Sequence, residues 1–203
     1  MPIVFELHHR SVAAVRAVTD RIVPADLDRP TPCAGWDLRA LLEHMTGQDH
    51  GFAAAVTAAQ HGSDTDAAAF GPRPLSPSPA ADVAGSLATV TTTVAAAEGL
   101  DRPVLLPEFG SRVPLPTLVS MHLVDTLVHG WDVATALGAA DAYSAGLDDD
   151  LVGRALSIAE QVPTERDDPG LPFGPVHAGA GATGPWSRTL ALLGRDPGRP
   201  VPS

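Results

Sequence analysis

The amino-acid sequence predicts an all-α protein, a four-helix bundle carrying a short C-terminal helical extension. Three observations lead there. Hydrophobic residues make up 44% of the 203 while aromatics make up only 4%; an apolar set dominated by Ala suits closely packed helices better than a β-sandwich, which would be enriched in Val, Ile, Tyr and Phe. Apolar residues recur at helical spacing in four separate stretches. Pro- and Gly-rich connectors that a helix cannot cross divide those stretches. A core of this size needs neither a disulfide nor a partner chain. The bundle is assigned to residues 1–140, and residues 141–203 are expected to pack on it as part of the same domain.

The first helix is read from residues 6–23, where Leu7, Val12, Val15, Val18 and Ile22 share a face and Pro24 stops the pattern. The stretch ADLDRPTPCAG follows as a loop, because each proline removes a donor and biases the residue before it toward extended backbone. Asp37 is a good N-cap for a second helix over 38–60, since its carboxylate can accept from the free amides of the next turn. Gly47 and Gly51, one turn apart in that helix, weaken it locally and are explained by close packing of a neighbouring helix.

Residues 61–79 read as a loop with no chemistry. Residues 80–98 form a third helix through Val83, Leu87, Val90 and Val94, and the connector LDRPVLLPEFGSRVPLP follows with a short extended piece. The fourth helix, over 118–137, is strongly periodic and ends at Gly138, a natural C-terminal cap. A fifth, weaker helix over 148–162 opens with an acidic triplet suited to the positive end of a helix dipole. A last short helix is SRTLALLG.

Charge and cysteine usage exclude several function classes. The formal net charge is −11 and every cation is an Arg, so no basic stripe exists to neutralise a nucleic-acid backbone. The single Cys33 cannot form an internal disulfide, and MPIVFELHHR is too poor in apolar residues and too acidic for a signal peptide. No run of about 18 apolar residues is free of charge, which argues against a membrane span. A cytoplasmic protein is expected. Glycine-rich phosphate loops, Ser nucleophile elbows and zinc-knuckle spacings are missing from the sequence.

The chemistry is expected from three histidines in mid-helix positions, His44, His122 and His129. On the fourth helix His122, Asp125 and His129 fall at i, i+3 and i+7, within about 60° of one face. His122 and His129 are about 10.5 Å apart along the axis, too far to share one ion. Asp125 and His129, one turn apart, can share it, and His44 from a facing helix is the candidate third ligand. Three ligands of this N2O type leave an open position, which is the catalytic rather than the closed structural pattern.

Around that set several residues carry a sharp and a plain reading. Trp36 and Trp131 could wall a pocket above the metal, although packing is the expected role of a Trp near a helix end. Asp132 could orient His129, but the wide angle between adjacent helical residues favours a solvent-facing or capping role. Gln48 faces the same way as His44, either to hold a metal-bound water or to join a polar seam. His122 is a proton shuttle or a structural histidine. His177 and Arg188 could contact an acidic thiol or substrate as a lid. Cys33 is expected to be a small buried residue, not a nucleophile.

The segments TPCAGWDLRALLEHM (31–45), HLVDTLVHGWDVATALG (122–138) and LLGRDP (192–197) resemble the DinB-like metal-binding proteins of actinobacteria related to mycothiol-dependent maleylpyruvate isomerase. The resemblance implies a four-helix bundle holding a divalent metal, zinc or nickel above all, on His44, Asp125 and His129. The isomerase is similar but carries Glu where this chain has Asp125, one methylene shorter here. It further implies a small-molecule thiol such as mycothiol as cofactor. Metal coordination would deprotonate that thiol near neutral pH and aim it at a small electrophile, as a transferase or isomerase does. The alternatives are a hydrolase built on a metal-activated water, and a bundle that binds metal or ligand without catalysis. A homodimer would suit the Ala- and Gly-rich helix faces.

Overall fold

The computed structural model describes residues 2–165, 173–177 and 184–198. Its long helices are α1 (Pro2–Thr19), α2 (Leu38–Gln60), α3 (Pro79–Ala96) and α4 (Leu115–Ala136), and three shorter ones follow, α5 (Ala140–Ala145), α6 (Asp149–Ala159) and α7 (Pro185–Leu192). Among the described residues the fold is all-α apart from one antiparallel hairpin, β1 (Val104–Leu106) with β2 (Ser111–Val113), in which Val104 faces Val113 and Leu106 faces Ser111. None of the described helices is long and apolar enough to cross a membrane.

The second helix has the expected limits, and the Asp37 carboxylate accepts from the amide of Ala40 at 2.8 Å, an N-cap bond. The other limits shift. α1 begins near the N-terminus and ends at Thr19, four residues early: Arg21 and Ile22 bond back to Val18 and Thr19, a tightening of the last turn before Pro24. α4 begins three residues early, with Pro116 inside its first turn, where a missing N–H costs nothing. At its other end Gly138 takes φ +71°, with Gly138 N–H donating to Thr135 O and Ala139 N–H to Ala134 O, the paired bonds of a Schellman cap. The short α5 was not anticipated.

The two α2 glycines serve a different neighbour from the one expected. A Cβ at Gly47 would collide with the carbonyl of Gly71, and one at Gly51 with the ring of Phe70. The close approach is therefore by a 3-10 turn (Ala67–Phe70) of the connecting loop, not by another helix. The loop is fastened there because the Arg73 amide also donates to Glu43 O at 2.9 Å.

Two apolar clusters form the core. One joins the middle of α1, the first half of α2 and the second half of α4 to α6 and α7; the other joins the remaining halves of α2 and α4 to the end of α3 and the hairpin. Between them lies one buried polar residue from each long helix: His8, Asp49, Ser86 and His122. His8 Nε2 is 2.8 Å from His122 Nδ1, His122 Nε2 is 2.9 Å from Asp49 Oδ1, and Ser86 donates to Asp49 Oδ2 at 2.6 Å. Burying these groups costs far less because each is partnered. The layer also fixes how α2 and α4, which carry the candidate ligands, stand against each other.

Candidate metal centre

His44 lies mid-way along the first half of α2, five residues before Asp49 of the polar layer. Asp125 and His129 lie on α4, beginning three residues after His122. Pinning Asp49 to His122 therefore brings the next turns of the two helices together. One ligand atom from each of His44, Asp125 and His129 falls within 4.8 Å of the other two. His129 Nε2 is 3.5 Å from Asp125 Oδ1. Tetrahedral ligands about 2.0 to 2.2 Å from a zinc-sized ion stand roughly 3.4 Å apart, so the α4 pair already has the required separation. Nitrogen and carboxylate donors fit zinc and nickel alike. His122 does not join the set; it is fully buried and engaged on both ring nitrogens, a structural histidine.

The Nδ1 of His129 donates to Asp132 Oδ2 at 3.0 Å, which leaves Nε2 to face Asp125. Asp132 is completely buried, contrary to the solvent-facing or capping role expected of it. It is three residues beyond His129, so the two side chains lie on one side of the helix. Arg195 grips the same carboxylate at both oxygens, Nη2 to Oδ2 at 2.7 Å and Nε to Oδ1 at 3.2 Å, the bidentate geometry in which a guanidinium is strongest. The Cys33 thiol donates to Oδ2 as well, at 3.2 Å. Cys33 is half-buried and positions Asp132, and its expected reading as an inert small residue gains this polar contact.

Arg195 was not singled out among the candidate residues, although it lies in the LLGRDP segment. Gly194, at φ +82°, turns the chain at the end of α7, and Arg195 N–H donates to Leu190 O at 2.8 Å. That cap swings the Arg195 side chain inward, where Nη1 also donates to Leu193 O at 2.8 Å. A Cβ at Gly194 would meet Gly174 O at 2.8 Å, so the position is constrained by space as well as by φ.

The charges follow from these contacts. Burial opposes ionisation of Asp132, but Arg195 and His129 outweigh it and hold the carboxyl well below the usual range. Burial likewise opposes charge on His129, and Asp125, Asp132 and Cys33 together overcome it, raising the imidazole to about 10. Burial pushes His44 below its ordinary value against the pull of Asp125, so it offers a neutral nitrogen. Cys33, His129 and Asp132 also group closely enough to hold a cation. The guanidinium of Arg195, with Nη2 3.5 Å from Cys33 Sγ, already supplies the positive charge there and would repel an ion. The set His44, Asp125 and His129 is the better fit.

The remaining expectations divide. Trp131 is buried in the core, as the packing reading requires, whereas Trp36 is 37% exposed with its ring centroid 4.8 Å from that of His44. Gln48 donates to Phe70 O and to Glu108 Oε1, each at 3.3 Å, and so belongs to a polar seam. Arg188 pairs with Glu160, just past the end of α6, at 2.8 Å, and His177 is exposed with its amide on Ala191 O; among the described residues neither contacts the candidate ligands.

A family model described as the mycothiol maleylpyruvate isomerase N-terminal domain matches residues 7–134. Uncharacterised proteins of Mycobacterium tuberculosis, from strains CDC 1551 and H37Rv, are each 26% identical over 194 residues, covering 93% of this chain and 95% of the relative. No solved structure matches the chain significantly.

Proposed function

The chain belongs to the mycothiol maleylpyruvate isomerase N-terminal domain family, and from that premise we propose that it binds one divalent metal ion on His44, Asp125 and His129 and acts as a thiol-dependent transferase or isomerase on a small electrophile. The observation that carries this reading is the convergence of the three side chains with Asp132 fixed behind His129. A bound ion would supply a positive charge that deprotonates a thiol near neutral pH and directs its attack.

The chain's own groups prepare that chemistry. Asp132, held by Arg195 and Cys33, keeps one His129 proton on Nδ1, so the proton that an incoming ion displaces is the one on Nε2, the arrangement that orients metal-bound histidines in general. Asp125 is 20% exposed at its side chain and His44 is half-buried, so two of the three donors reach solvent, from which thiol and substrate would enter. Zinc or nickel is the proposed metal and a mycothiol-type thiol the proposed cofactor.

Elemental analysis of protein purified without a chelating tag tests the site. About one equivalent in the wild type, lost in His44→Ala and His129→Ala with helicity unchanged, supports it. Protein that takes up neither zinc nor nickel on reconstitution overturns it. Thiol conjugation to electrophiles by the loaded protein supports the transferase reading; turnover by hydrolysis with no thiol present replaces it with a hydrolase.

A further inference from the structure

Three rings run in a row from the surface to the metal centre. The Trp36 and His44 centroids are 4.8 Å apart at a 52° tilt, and those of His44 and His129 are 5.2 Å apart and nearly perpendicular. Exposure falls along the row from 37% at Trp36 to 3% at His129. Trp36 is thus the most exposed of the three rings and stands beside a candidate ligand. Among the described residues only Val23, Trp36 and Phe109 are large hydrophobics left exposed.

The backbone that carries the indole is also held in place. Trp36 closes a turn in which its amide donates to Cys33 O at 3.0 Å, while its carbonyl accepts from the Thr31 hydroxyl at 2.8 Å and the Thr31 amide at 3.3 Å. Pro30 and Asp37 bridge the base of that turn, and Cys33 ties its middle to Asp132 on α4. The part of Trp36 that remains exposed, 37% of the residue, gives the fold nothing by burial. It offers a preformed surface to a ligand, because little ordering remains to be done on binding. The electron-rich indole face accepts a planar, electron-poor or aryl group in an offset or tilted stack.

We propose that Trp36 determines the specificity of this centre, favouring ligands that lay a planar unsaturated group against the indole beside the metal site. The proposal rests on the thiol-binding reading above. It assigns Trp36 to the ligand, not to the fold.

Cobalt-loaded protein titrated with benzyl mercaptan and with cyclohexylmethanethiol compares two thiols of similar size whose rings are planar and puckered. Sulfur-to-cobalt charge-transfer absorption reports binding to the metal. The wild type should bind benzyl mercaptan about five-fold more tightly, the scale of one aromatic pair contact. Trp36→Phe should keep the preference and Trp36→Ala should lose it, with cobalt stoichiometry and circular dichroism unchanged in both. Equal binding by the wild type, or a preference that survives in Trp36→Ala, overturns the proposal. A cobalt-loaded protein that gives no charge-transfer band with either thiol overturns the thiol reading itself, and the proposal falls with it.

Discussion

Asp132 and Arg195 form a buried, two-pronged ion pair 63 residues apart in the chain, and the carboxylate so held is the one that receives the Nδ1 proton of His129. The end of the C-terminal segment is thereby tied to the candidate metal centre through Asp132.

Asp132→Asn should weaken metal affinity roughly 10- to 100-fold, the usual cost of disturbing a partner behind a metal-bound histidine. It also strands Arg195 in the interior, so stability should drop by about 3 kcal/mol or more. Competition with a chelator and urea unfolding read the two effects separately. Unchanged affinity would detach Asp132 from the metal.

Metal binding should release a proton from His129. Its imidazole titrates at about 10 in the metal-free protein, so below that pH an ion must displace the proton, and apparent affinity should rise about ten-fold per pH unit from this group. The same shift bears on the metal-free fold with opposite sign. A folded-state value raised above about 6.5 contributes stability that is complete below 6.5 and fades as pH climbs through 10. Urea unfolding of metal-free protein between pH 7 and 10 should show the decline, and His129→Gln should flatten it.

Acid should loosen the polar layer. Burial, with the neighbouring His122 and His9, pushes His8 down to about 2. Unfolded chains take up this proton near 6.5, so stability falls as pH drops below that value and the loss grows toward 2. His8→Gln, which keeps an N–H donor for His122, should unfold with a shallower pH dependence below 6. An identical slope would place the acid sensitivity elsewhere.

Gly130→Ala should destabilise by about 1 to 3 kcal/mol through overpacking. A Cβ there would stand 2.5 Å from the Tyr143 hydroxyl and 2.6 Å from Val15 Cγ2, and the hydroxyl is fixed by its bond to Leu127 O at 2.9 Å. Adding Tyr143→Phe should recover part of the lost melting temperature, since the Val15 clash remains.

The sequence by itself determined the helical class, four of the main elements and the identity of the proposed ligands. Periodicity, caps such as Asp37 and Gly138, and the i, i+4 spacing of Asp125 and His129 are local properties, written in residues a few positions apart. Even Asp132 was locally accessible: its i+3 relation to His129 places both on one side of α4, and treating it as a neighbour at a wide angle missed that. Tertiary structure alone decided the rest. His8, Asp49, Ser86 and His122 come from four helices, and a hydrogen bond across 114 residues leaves no periodic trace. Arg195 reaches Asp132 only because the cap at Gly194 turns it inward, and Gly47 makes room for a loop rather than a helix because the loop folds back there. Which polar residues are buried, and against what, depends on how the helices meet, and short-range spacing carries no record of that.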